Sequence, residues 1–168
     1  MRLQKKIYLL FMAFLTITFV NAQNKPASPA ASATSKINGA TISINYSSPS
    51  VKGRAIWGEL IPFNKVWRAG ANDATTFETD KELTIEGKKL PAGKYSFFVI
   101  PNEKESVIIF NKEAKQWGAY KYKEAEDQLR VTVKQQMADS STESLVYNIT
   151  KNSIVLSWEK WNIPISVK

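Results

Sequence analysis

The stretch Lys94-Tyr95-Ser96-Phe97-Phe98-Val99-Ile100 decides the fold. In an extended chain, successive side chains point to opposite faces. Tyr95, Phe97 and Val99 then share one face, and Ser96, Phe98 and Ile100 the other. Both faces are largely apolar, so the stretch reads as a central strand covered on both sides. Pro101–Glu105 turns the chain and Ser106–Asn111 returns as a second strand, making a hairpin with a loop of about five residues.

Short alternating runs continue in both directions. Upstream, Thr41–Tyr46 puts Ile42, Ile44 and Tyr46 on one face. Thr75–Thr79 and Leu83–Glu86 read as strands joined by Asp80-Lys81, with turns at Glu86-Gly87-Lys88 and Pro91-Ala92-Gly93. Downstream, Leu129–Val133, Leu145–Ile149, Ile154–Glu159 and Ile163–Val167 alternate, and Pro164 suits an edge strand. Ala55–Leu60 and Glu124–Gln128 each carry the signal of one helical turn at most. The expectation is an all-β chain folded as a single antiparallel β-sandwich, Ig-like or jelly-roll in style, with roughly eight to ten short strands and little helix.

The amino terminus reads differently. Arg2, Lys5 and Lys6 precede the apolar run Ile7–Val20, and Val20-Asn21-Ala22 ends it on small or apolar residues. That is the pattern of a secretory signal peptide, residues 1–22, cleaved after Ala22. A spanning helix wants about 20 apolar residues, more than this run has, so no stable membrane anchor is expected after cleavage. The expected destination is periplasmic or secreted. Gln23–Thr34 is rich in Pro, Ala and Ser and reads as a flexible linker, which places the folded domain at 35–168.

Composition removes several functions. The formal charge of +8 falls to +5 once Arg2, Lys5 and Lys6 leave with the signal. The excess is scattered, with small knots at Lys88-Lys89 and Lys121–Lys123, so no nucleic-acid partner is expected. There is no cysteine and no histidine. The core must stand on burial alone, which a domain of about 150 residues can achieve. Ser-His-Asp triads, Cys-His pairs and ordinary zinc sites are excluded. No metal, no cofactor and no catalytic residue is assigned.

The densest ligand-holding chemistry lies in Lys65–Thr76, with Trp67, Arg68, Asn72 and Asp73 around Gly70. If the stretch is extended, Arg68, Gly70 and Asn72 share one face, and Trp67, Ala69, Ala71 and Asp73 the other. An Arg fork, an Asn amide and an indole face suit a polar or anionic ligand. The competing reading makes Trp67 core, Arg68 a partner for loop carbonyls and Asn72 a local turn. A second candidate is the aromatic loop Gln116–Tyr122, where Trp117 and Tyr120, with Asn111 and Lys112 beside them, would suit a saccharide. Its competing reading is an aromatic lid folded over one end of the sandwich.

From about Ile37 onward the chain resembles DUF2911, a domain-of-unknown-function family of secreted bacterial proteins. The resemblance rests on Val51-Lys52-Gly53-Arg54, Ile56-Trp57-Gly58-Glu59-Leu60 and Lys65–Thr75, then on Leu90–Ser96, Asn111-Lys112 and Gln116–Tyr120. It implies that the Trp-Arg-x-Gly-x-Asn stretch and the Trp-Gly-x-Tyr loop belong to a family pattern, and it brings no activity with it. Two functions are weighed. One is a non-enzymatic binding module for a carbohydrate or small polar ligand, held by Trp67, Arg68, Asn72, Asp73, Trp117 and Tyr120. The other is a hydrolase or lyase in which Glu59 and Asp73 act as the carboxylate pair beside Arg68. A structural envelope component is the plainest alternative.

Overall fold

The computed structural model describes residues 26–168. The expected signal peptide and Gln23–Lys25 lie outside the described residues. Among these there are ten strands: β1 (Ala30–Ile37), β2 (Ala40–Ser47), β3 (Thr75–Thr79), β4 (Leu83–Ile85), β5 (Lys88–Leu90), β6 (Gly93–Pro101), β7 (Ser106–Asn111), β8 (Asp127–Val133), β9 (Gln136–Ile149) and β10 (Ser153–Ser166). The only helix described is a 3-10 turn at Glu124–Glu126. No helix of the described residues is long and apolar enough to cross a membrane.

Six strands form one antiparallel sheet in the order β1-β2-β3-β6-β7-β8. The β9–β10 hairpin lies across it as the second layer of a sandwich. Pro49–Val51 flanks β9 through Val51 N to Glu143 O (2.8 Å) and Leu145 N to Pro49 O (2.9 Å). The β4–β5 hairpin joins the end of β10 through the Ile85–Val167 bridge.

The central strand behaves as its pattern requires. Tyr95, Phe97 and Val99 of β6 enter the main core, while Phe98 is buried on the other face with Ala74 and Ile109. Phe110 meets Phe77 and Phe97 edge-to-face, at 5.0 and 5.4 Å between ring centres. From the opposite layer, the Tyr147 ring reaches Tyr46 (4.8 Å) and Phe97 (5.9 Å), and its hydroxyl donates to Ala69 O (2.8 Å). Each such buried side chain is worth about 1.5–3 kcal/mol. Exposed ion pairs such as Lys89–Glu82 and Lys94–Glu78 are worth about 0–1 kcal/mol each, so burial holds the sandwich together.

Three local expectations are corrected. The linker does not run to Thr34, because Ala30–Thr34 forms the first half of β1. Small side chains hid this strand. Its backbone pairs with β2 from Ala30–Ser47 to Ile37–Ala40, while Ala31 and Ala33 pack against the core. Asn38 and Gly39 both take positive φ (49° and 79°), as a two-residue hairpin turn demands. Next, β9 begins at Gln136 rather than Leu145, and its first half is too exposed to show any apolar alternation. Finally, β10 runs unbroken through Trp161-Asn162. The expected gap is a pair of register shifts around Glu159, whose φ is +52°.

Burial holds the Tyr147 phenol well above its ordinary pKa, since ionising it would leave a charge in the core. The folded value lies above the unfolded one of about 10, so this contribution is complete below pH ~10 and is lost as pH rises further. Urea unfolding followed against pH should show stability falling above pH ~10. Tyr147→Phe should flatten that fall and cost about 1 kcal/mol at neutral pH.

Candidate functional site

Lys65–Thr76 is not an extended strand. It makes one bridge to β6, with Trp67 N to Val99 O (2.8 Å) and Val99 N to Trp67 O (2.9 Å), and then coils. Ala69 and Asn72 both adopt positive φ (52° and 58°), which breaks the expected alternation of faces. Arg68 ends up half-buried, Gly70 buried and Asn72 exposed. The coil is held at every step. Thr75 Oγ1 donates to Ala69 O (2.9 Å), Trp67 Nε1 to Gly70 O (3.1 Å), and Ala71 N to Ser47 O (3.1 Å). Gly70 is a close-approach glycine: a Cβ there would lie 2.8 Å from Thr75 Oγ1 and 3.1 Å from Ser47 O.

Asn72 and Asp73 dock this coil onto the aromatic loop. Asp73 and Trp117 form an antiparallel bridge, with Ala74 N to Gln116 O (2.9 Å) and Gly118 N to Asn72 O (3.1 Å). Gly118 has φ +63°, and a Cβ on it would meet the Tyr120 ring at 2.9 Å and Arg68 Nη1 at 3.8 Å. The two stretches singled out in the sequence are therefore neighbours through their backbones.

Asn111 anchors the aromatic loop from below. It is fully buried, and its amide is saturated. Nδ2 donates to Lys123 O (3.0 Å) and Asp127 Oδ1 (2.8 Å), while Oδ1 accepts from Glu113 N and Gln116 Nε2 (3.1 Å each). Asn111 is thus a staple rather than a ligand contact. Tyr122 folds back onto Phe98 (5.2 Å) and donates to Asp127 Oδ2 (2.5 Å). Burial first, then that carboxylate, holds its phenol far above the ordinary value. The lid reading therefore fits Tyr122. Trp117 and Tyr120 instead stay 63% and 83% exposed, side chains in solvent on a loop whose backbone is fixed.

Four of the six candidate residues divide between two cavities, two to each. Trp117 and Tyr120 line a groove of about 870 Å³, edged by Lys112, Lys115, Lys121 and Glu113. Trp67 and Arg68 line a second cavity of about 360 Å³ on the other side of the coil. Both volumes fall in the range of small-molecule sites, about 300–1,000 Å³. Asn72 and Asp73 line neither and serve the bridge between the loops. Glu59 and Asp73 are exposed, and neither lines either cavity. Lys65, the first residue of the candidate stretch, and Arg54, the cation beside Trp57, join Arg68 in the smaller cavity, as does Trp158, which sequence reasoning missed. Trp158 was legible only as an apolar position on a strand. Among the described residues there is no group of acidic side chains fit to hold a metal ion.

Residues 28–167 match the family described as "Protein of unknown function (DUF2911)", and the chain belongs to that family. No curated protein and no solved structure matches it.

Two substitutions should separate anchor from platform. Asn111→Ala strips partners from Gln116, Lys123 O and Asp127, and should cost about 2–3 kcal/mol in chemical denaturation. Trp117→Ala removes a mostly exposed ring and should stay within about 0.5 kcal/mol of the parent. Gly70→Ala should cost about 1–3 kcal/mol, because backbone and a bonded hydroxyl occupy the space for its Cβ.

Proposed function

We propose that the protein is an exported, non-enzymatic binding module whose ligand is a carbohydrate held in the groove beneath Trp117 and Tyr120. The observation that carries this reading is the pair of exposed aromatic rings on a loop pinned by the saturated Asn111 amide and the Asp73 bridge. A flat indole offers a stacking face to the C–H side of a sugar ring. A fixed mounting lowers the ordering cost of binding. Gln116 belongs to the lining of the same groove, and its buried Oε1 has no partner among the described residues. Lysines outnumber carboxylates around the groove, with Lys112, Lys115, Lys121 and Lys123 against Glu113 and Glu126, which favours acidic saccharides over neutral ones.

Calorimetric titration with a uronic-acid oligosaccharide and a neutral glucan oligosaccharide tests this reading. Saturable binding of the acidic oligomer is expected, weakened about tenfold by Trp117→Ala, equivalent to about 1.4 kcal/mol. Added salt should weaken it further. No binding of either oligomer, or binding that Trp117→Ala leaves unchanged, would remove the groove as a glycan site.

A further inference from the structure

The smaller cavity supports a different inference, independent of the glycan groove. Its charged side chains are Arg54, Lys65 and Arg68, and no carboxylate lines it. None of the three is in an ion pair among the described residues, although 15 acidic residues are present in the chain. Arg54 is steadied from behind, with Nε donating to Val51 O (3.0 Å) and Nη2 to Ser50 O (2.5 Å). The walls are otherwise mostly apolar, with Leu60, Ile61, Pro62, Val66, Trp67 and Trp158 among them.

Two of the lining residues carry buried donors that nothing satisfies. Arg68 Nε and Trp158 Nε1 have no hydrogen-bond partner among the described residues, and Trp158 is only 1% exposed. An unpaired buried donor costs about 1–3 kcal/mol, more when charged, so an acceptor brought within reach of either one would be stabilising. Trp67 is different, since its Nε1 is already committed to Gly70 O. The cavity therefore offers cations on apolar walls, with the Ser28 hydroxyl as the one side-chain acceptor along its lining.

We infer that this cavity binds a small amphipathic anion, with an acidic headgroup at Arg68, Lys65 and Arg54 and an apolar body against Trp158 and Val66. Charge and donor inventory select the headgroup, and the apolar walls select against a bare inorganic anion. The volume of about 360 Å³ sits at the lower end of small-molecule sites, which fits a short chain or single ring.

The test is calorimetric titration of the purified protein with octanoate and octyl phosphate, against acetate and octyl glucoside as controls. At least one of the two amphipathic anions should bind saturably and roughly tenfold or more tighter than either control, and the tighter of the two names the headgroup. Arg68→Gln should weaken that binding roughly tenfold. If Arg68→Gln fails to fold, Lys65→Glu carries the test, because Lys65 is exposed and reversing its charge should abolish binding without unfolding the protein. Trp117→Ala should leave that binding unchanged, which separates this cavity from the glycan groove. The inference is overturned if the neutral glucoside binds as well as the anions, if acetate alone matches them, if Lys65→Glu has no effect, or if Trp117→Ala removes the binding.

Discussion

One carbonyl group, that of Ala69, ties the molecule together. Ala69 is fully buried in a left-handed conformation, at φ +52°. A non-glycine residue there carries strain of about 1–2 kcal/mol. The conformation persists because its oxygen accepts from both layers at once, from Thr75 Oγ1 at the head of β3 and from the Tyr147 hydroxyl on β9. A buried carbonyl stripped of its partners costs about 1–3 kcal/mol, so the two bonds outweigh the strain. Every position on either side of it follows. Trp67 is directed into the core, Arg68 into the smaller cavity, and Gly70 against Ser47.

The second determinant is the indole cluster that closes this end of the sandwich. Trp57 stacks on Trp161 (4.3 Å) and meets Trp67 and Trp158 edge-to-face, while Phe63 extends the stack beyond Trp161. These rings come from the Ala55–Lys65 turn region, the Lys65–Thr76 coil and β10, segments far apart in sequence. Their convergence gives the smaller cavity a wall that does not depend on any flexible side chain. It also explains why a loop this irregular can position a guanidinium. The coil rests on aromatic surface, and its backbone groups are bonded at Val99, Ser47 and Tyr147.

The sequence was most informative where burial imposes a period. The double-faced apolar pattern of Tyr95–Ile100 marks the central strand, and the pairing of Trp67 with a core role was one of two readings it permitted. The first half of β9 escaped because strands exposed on both faces show no alternation. Ala30–Thr34 escaped because an alanine edge strand shares the composition of a tether. The two candidate stretches were visible as chemistry, but their partition into two cavities was not. That partition depends on the left-handed turns at Ala69 and Asn72; an asparagine tolerates positive φ, but the identity of Ala69 did not announce it. Arg54 and Lys65 stood in stretches the sequence singled out, but only the fold placed them on one opening with Arg68.

The strand order has a consequence for how such a chain assembles. Neighbours in the six-stranded sheet are neighbours in sequence, apart from the gap that β4 and β5 fill, but only β1–β2 and β6–β7 close through tight turns, while the Ser48–Ala74 and Lys112–Glu126 segments join β2 to β3 and β7 to β8. The hairpin of β9 and β10 is likewise local. Two long-distance junctions hold that hairpin: Ser50 meets Ser144, 94 residues apart, and the β4–β5 hairpin meets the end of β10 at the Ile85–Val167 bridge. Loop-closure entropy grows only with the logarithm of length, by about 0.6 kcal/mol per doubling. Closing either junction therefore costs only about 2 kcal/mol more than closing a loop of about ten residues, a modest penalty for joining two layers so far apart in sequence.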